Sequence, residues 1–222
     1  VAMNNQLIHA RDDEIKEINR ILMELSKQVK DNYDCLHENQ ELLVEIDVIF
    51  AKAGYGIQID GVIPSINEDY DNFSLIKARH PLIDRDKVVA NSIVLTSPKR
   101  ILLISGSNTG GKTVVLKTAG LLSLMGLCAM AVPCNQATIP MFDQICVDLG
   151  DEQSIEQSLS TFSSHMKRLV EITNEATEKS LALLDEIGSG TDPKEGQSIA
   201  EAILRYLHQV NPIIVASTHY SG

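Results

Sequence analysis

Residues 101–113 read Ile101-Leu102-Leu103-Ile104-Ser105-Gly106-Ser107-Asn108-Thr109-Gly110-Gly111-Lys112-Thr113, an apolar run that opens into a glycine-rich octet. The octet from Gly106 to Thr113 fits the pattern G-x-x-x-x-G-K-[ST]. It stands where phosphate chemistry needs it, after an apolar strand and before Lys112–Met125, which has the texture of a helix. Its glycines let backbone N–H groups turn inward around phosphates, and the helix N-terminus adds its partial positive charge. Lys112 can reach the outer phosphates, and Thr113 can offer its hydroxyl to Mg²⁺.

Outward from this loop, strands and helices alternate. Ile101–Ser105, Gln144–Val147, Leu181–Asp185 and Ile213–Ser217 read as buried strands, and Lys112–Met125, Thr161–Ala176 and Pro193–Gln209 as helices. That order predicts an α/β domain with a mainly parallel sheet flanked by helices. Leu181-Ala182-Leu183-Leu184-Asp185-Glu186 is an apolar strand that ends in two carboxylates. Asp185 is placed to hold the hydration shell of Mg²⁺, and Glu186 to polarise an attacking water as general base. Loop and carboxylates together specify a nucleoside triphosphatase.

Residues 56–100 are patchier, with short strands expected at Gly56–Ile63, Ser74–Ala78 and Ser92–Leu95. Residues 3–53 read as helix: Ile15, Ile18, Leu22, Leu25 and Val29 recur at three- and four-residue steps, and Leu36, Leu43, Ile46, Phe50 and Ala53 resume the pattern. Asp31 and Asn32 suit a break, and Gly54 and Gly56 suit an end. A continuous helix of this length would reach about 75 Å, so residues 1–54 are expected to form an arm and 55–222 the enzyme domain. An ordinary helical hairpin packed on the domain is the alternative.

Composition bounds the rest. With 222 residues, 44% hydrophobic and 22% charged, the chain can bury a core and is neither disordered nor collagenous. A formal charge of -11 and the lack of any basic stripe exclude a free-standing nucleic-acid grip. The start is polar and acidic, and the longest apolar stretch, residues 119–133, is too short to span a bilayer, so a cytoplasmic protein without a membrane partner is expected. Cys35, Cys128, Cys134 and Cys146 lack metal or redox spacing and are expected to be four free, buried thiols.

Three further stretches carry a resemblance. Ser160-Thr161-Phe162-Ser163-Ser164-His165 opens a helix, Glu186 is followed by Ile187-Gly188-Ser189-Gly190-Thr191-Asp192-Pro193, and the last strand runs into Ser217-Thr218-His219-Tyr220. With these the chain closely resembles the MutS family of ATPases. Thr109, the run from Asp148 to Leu159, and Gly190-Thr191-Asp192-Pro193-Lys194-Glu195-Gly196 resemble its bacterial recombination-suppressing branch, MutS type two. The resemblance implies a P-loop head of the ABC type, working as a homodimer with each ATP between two chains. It implies that Gly106, Ser107, Asn108, Thr109, Gly110, Gly111, Lys112 and Thr113 hold ATP, with Asn108 near the terminal phosphate.

By the same matching, Ser160 and Thr161 would meet the nucleotide of the partner chain, although Ser160 also suits a helix N-cap. His219 resembles the family's switch histidine. Arg79-His80-Pro81 marks the start of the ATPase lobe, and Val88 and Val89 fall where family members pack the adenine, unless they are simply strand core. Residues 3–53 would be the returning half of a long lever between ATPase and clamp.

The chain departs from the family at Ser107, where Pro is usual, and it lacks the Phe-x-Glu motif of the repair branch. Family members continue past Gly222, so a continuation is expected, and any nuclease activity would lie outside this chain. The implied function is ATP hydrolysis that drives clamping on branched or mismatched DNA, through regions outside the chain, and suppresses homologous recombination. Splitting of stalled ribosomes by the same head, through rRNA, is one alternative. A nucleotide-gated dimerisation module with little turnover is another.

Overall fold

The computed structural model describes residues 2–106, 111–149 and 158–219. The chain divides into two compact units, Val1–Ala51 and Lys52–Gly222. The first unit holds helix α1 (Ala2–Asp31) and most of α2 (Tyr33–Gln58). The two are interrupted where the sequence suggests, at Asn32. Its side-chain amide donates to the Gln28 carbonyl at 2.8 Å while its own carbonyl accepts the Leu36 N–H at 3.0 Å, closing one helix and starting the next. Exposed pairs such as Arg20 with Glu17 and Glu24 line α1, where solvent screens them. The apolar row stays uncovered within this unit: Ile15 is 56% exposed and Phe50 72%.

The expected end of α2 at Gly54 and Gly56 is not where the helix stops. It continues to Gln58 and closes with Asp60 in the left-handed region (φ 48°), the Gly61 N–H reaching the Gly56 carbonyl and the Asp60 N–H the Ile57 carbonyl. Gly56 is instead a site of close approach, since a Cβ there would come within 2.9 Å of the Ala131 Cβ. The strand expected at Gly56–Ile63 is thus helix and turn, reduced to a single bridge between Val62 and Val132.

The second unit contains two sheets. One is mixed and formed by β1 (Ser65–Asn67), β2 (Asn72–Ala78), β3 (Asn91–Thr96) and β5 (Gln136–Pro140), in the order β1-β5-β2-β3. Strands β1 and β5 were not expected, being too short and too rich in polar residues and proline to show a period. The other is wholly parallel: β4 (Ile101–Ser105), β8 (Ile213–Thr218), β7 (Leu181–Leu184) and β6 (Ile145–Asp148), in the order β4-β8-β7-β6.

Every residue of β7 and β8 is buried, as the apolar runs require of strands covered on both faces. Their side chains alternate between two cores. Leu181, Leu183, Ile213 and Val215 face the core that includes α3 (Lys112–Leu127) and the mixed sheet, whereas Ala182, Leu184, Ile214 and Ala216 face α4 (Ser158–Glu175) and α5 (Pro193–Val210). Helix α3 is apolar around most of its girth because it lies between two sheets. Its buried hydroxyls, Thr118 and Ser123, bond to the Val114 and Ala119 carbonyls. Of the four thiols only Cys134 and Cys146 are buried; Cys35 and Cys128 lie exposed on helix ends and faces. Among the described residues no helix is long and apolar enough to cross a membrane.

Strand β7 leaves the sheet through a turn to α5. Asp192 caps that helix, accepting the Lys194 N–H at 3.0 Å with Pro193 behind it. Gly188 in this turn has φ +82°, and a Cβ there would overlap the backbone carbonyl of Gly196. Replacing Gly188 with Ala should therefore cost about 2–4 kcal/mol, from left-handed strain plus displacement of main chain. Gly54, helical with open space around it, is the control: Ala there should stabilise by about 0.5–1 kcal/mol. Urea unfolding of both variants measures the difference, and equal effects would refute the packing argument.

Candidate functional site

Because β4, β6, β7 and β8 are parallel, their carboxyl ends share one edge of the sheet, where ligands of α/β proteins bind. The backbone pairing Ser105 with Thr218 and Leu184 with Ala216 puts Gly106, Asp185 and His219 just beyond neighbouring strand ends. Ser107, Asn108, Thr109 and Gly110 lie outside the described residues, as does most of the run between Asp148 and Ser160. Gly106 (φ 141°) and Gly111 (φ 73°) flank the loop in conformations that favour glycine, and Gly111 leads into α3.

Lys112 is the buried cation of this edge, only 4% exposed. Its Nζ lies 2.6 Å from the Gly106 carbonyl, 3.1 Å from the Thr218 carbonyl and 3.3 Å from Nδ1 of His219. Burial of an ammonium is tolerable because three donors meet three acceptors. Lysine can only donate, so His219 Nδ1 accepts and its Nε2 carries the proton toward Glu186 Oε1, 3.1 Å away. The three side chains that sequence reasoning assigned separately thus form one chain, Lys112–His219–Glu186.

Asp185 and Glu186 differ sharply in setting. Asp185 is 3% exposed and accepts the Ser217 hydroxyl, while its N–H donates to the Asp148 carbonyl at 2.8 Å. The Glu186 carboxylate keeps a third of its surface in solvent. Its backbone is left-handed, φ 49°, which costs a non-glycine residue about 1–2 kcal/mol. The cost is offset by the Glu186 N–H bonding Ser217 Oγ at 2.9 Å and the Ile187 N–H bonding the Ser217 carbonyl at 3.0 Å. One serine hydroxyl therefore bonds both the Asp185 carboxylate and the Glu186 main chain. Ser217 carried no role in the sequence reading. Its signal was available: a hydroxyl inside an otherwise apolar strand, two residues before His219.

Thr113 is half-buried in the first turn of α3. Among the described residues no three His, Cys, Asp or Glu side chains gather into a metal site. That donor set still fits Mg²⁺, which takes oxygen ligands, typically one or two carboxylates completed by phosphates and water. Asp185 and Thr113 are the residues that would hold it.

The remaining assignments scatter. Ser160 and Thr161 lie in the first turn of α4, which already includes Ser158, so Ser160 is not its N-cap. Val88 and Val89 lie in the coil before β3 and are not strand core. Val89 points to solvent, and Val88 lines a cavity of about 30 Å³ with Arg79, His80 and Pro133, too small for a base. A cleft of about 640 Å³ between β4 and α5, floored by Ile101, Leu103, Ala200 and Leu204, lacks the lysine and carboxylates and is not the site.

One further pair lies at this edge. His165 Nδ1 on α4 sits 3.0 Å from Oδ2 of Asp148, whose carboxylate is nearly buried. The bond to Asp148 raises the His165 pKa above its ordinary 6.5 against the opposing effect of burial, and the charges of Asp148, Glu186 and Asp185 add to the rise. A raised folded pKa gives stability that is complete below the ordinary value and is lost as pH climbs through the folded one. The stability advantage of the native chain over His165→Asn should therefore be full below pH 6.5 and shrink as pH rises above it. Urea titrations on both sides of that pH measure it, and a constant advantage would show that the pair carries no charge.

Residues 102–222 match the family model described as MutS domain V. The chain is 49% identical over its full 222 residues to Endonuclease MutS2 of Clostridium perfringens strain SM101 and spans 28% of that protein. It is 49% identical to Endonuclease MutS2 of Caldanaerobacter subterraneus subsp. tengcongensis and 46% identical to that of Clostridium kluyveri, again at 28% of each relative's length. With the parallel sheet, the phosphate-loop lysine and the paired carboxylates on one edge, these matches mean that the chain belongs to the MutS family, in its MutS2-type branch.

Proposed function

We propose that this chain is the ATPase head of a dimeric MutS-type motor, binding ATP at Gly106–Thr113 and hydrolysing it. The observation that carries this reading is the convergence of Lys112, Asp185, Glu186 and His219 on one sheet edge. A bound triphosphate would compete with the Gly106 and Thr218 carbonyls for the donors of Lys112, and the lysine's shift would free His219 Nδ1. Asp185, oriented by Ser217, and Thr113 would hold Mg²⁺, which would supply charge neutralisation on the phosphates. Glu186 accepts the proton of the attacking water, and His219, bonded to it through Nε2, keeps the carboxylate in place.

Ser160 and Thr161 complete the nucleotide site of the partner chain, and Asn108 lies near the terminal phosphate. Val88 and Val89 border the adenine only if the coil before β3 rearranges around it. In the longer protein, α1 and α2 act as a lever, so that closing two heads clamps branched or mismatched DNA through other regions and opposes recombination. The acidic balance of the chain supports placing the nucleic-acid contact elsewhere. A dimerisation module without turnover is disfavoured by Glu186, because a pure switch has no need of a well-placed base.

ATP hydrolysis per chain, followed over a wide range of protein concentration with Lys112→Ala as blank, tests the shared site. Specific activity should climb with concentration; a flat rate above the blank would mean that each head is self-sufficient. Glu186→Gln should lower kcat by about 10²–10⁴-fold and trap an ATP-bound dimer in sedimentation. Normal turnover by that variant would refute its role as base.

A further inference from the structure

The pair His165–Asp148 joins two parts of the chain that the proposed cycle uses at different nucleotides. His165 lies on α4, four residues after Thr161, so on one rigid helix the two positions are about 6 Å apart along the axis. Asp148 ends β6, and its main-chain carbonyl accepts the N–H of Asp185 at 2.8 Å. Asp185 in turn accepts the Ser217 hydroxyl, and that oxygen accepts the Glu186 N–H at 2.9 Å. Hydrogen bonds, joined by the intervening main chain of Asp148 and Asp185, therefore connect α4 to the Asp185 carboxylate and the Glu186 backbone.

The pair is not a general packing contact. Asp148 is 7% exposed, so removing His165 takes from a nearly buried carboxylate its side-chain partner among the described residues. A second pin lies one helical turn on, where Arg168 Nε donates to the Val147 carbonyl at 3.1 Å. That bond also ties α4 to β6, but it ends on a main-chain carbonyl and not on the Asp148 carboxylate. The two pins separate anchoring of the helix from coupling to the carboxylates.

We propose that His165 is a positioning residue which, through Asp148, couples the helix turn carrying Ser160 and Thr161 to Asp185 and Glu186. Seating of α4 against the nucleotide of the partner chain then sets the carboxylates of the chain's own site. The inference rests on the shared-site reading above and adds that the two sites of a dimer are mechanically linked inside each chain. His165 touches no nucleotide; it acts on turnover by holding others.

The test uses the 222-residue chain with ATP and Mg²⁺, measuring kcat and KM at several protein concentrations. His165→Ala should lower kcat by about tenfold or more, comparable to the loss of a group that orients metal-holding residues from outside their shell, with KM for ATP within about twofold of native. His165→Asn, whose amide falls where Nδ1 lies, should recover most of kcat, and Arg168→Ala should keep native kcat even if its melting temperature drops. A kcat for His165→Ala that matches native while the native rate climbs with concentration overturns the coupling and leaves the shared site standing. Equal losses in His165→Ala and Arg168→Ala, or no recovery with Asn, reduce the pair to anchoring and also overturn it. A native rate flat in concentration overturns the shared site and this inference together.

Discussion

The pairing of β7 with β8 is the constraint on which the rest depends. It is parallel, central and buried on both faces, so its only route to polar chemistry is the carboxyl edge. There the two strand ends are stitched by a single hydroxyl. Ser217 donates to Asp185 and accepts from the Glu186 N–H, while its carbonyl takes the Ile187 N–H. These contacts hold Glu186 in a left-handed conformation that an isolated chain would avoid. Sheet pairing, and not local preference, sets where the second carboxylate points.

Charge follows the same logic. An ammonium at 4% exposure needs acceptors on most sides, and Lys112 finds them in two strand-end carbonyls and an imidazole. The acceptors come from β4 and β8 because those strands are neighbours. His219 is useful at this place because its two nitrogens face groups of opposite need, a donor on one side and a carboxylate on the other. Helix α1 shows the contrary case. Its apolar row is exposed and its ion pairs are solvated, so its helicity rests on local propensity and on i,i+4 contacts.

Much of this could be read from the residues. The strands of the parallel sheet were legible as apolar runs, and helices α3 and α5 were placed to within a residue or two because glycine, proline and aspartate mark their starts. The break at Asn32 was legible for a similar reason, a side chain that competes for backbone bonds. The readings that failed share a cause. Gly56 looked like a stop, yet its lack of a side chain serves the approach of Ala131, which one-dimensional pattern cannot separate from flexibility. Strands β1 and β5 are short and exist because they pair with each other and with β2. Exposure of Cys35 and Cys128 depends on which helix face meets a neighbour.

The sequence by itself determined the chemistry available: a glycine-rich loop with Lys112, a strand ending in Asp185 and Glu186, a late histidine, and an acidic balance unlike that of a free-standing basic DNA-binding module. These are local facts, because motif spacing and strand hydrophobicity depend only on neighbours along the chain. Tertiary structure decided which of these groups meet. That His219 bridges Lys112 to Glu186, that Ser217 bonds the Asp185 carboxylate and the Glu186 N–H, and that His165 reaches Asp148 all follow from strand order and register. Partners separated by 17 to 107 positions become neighbours only when parallel strands bring their ends to a common edge.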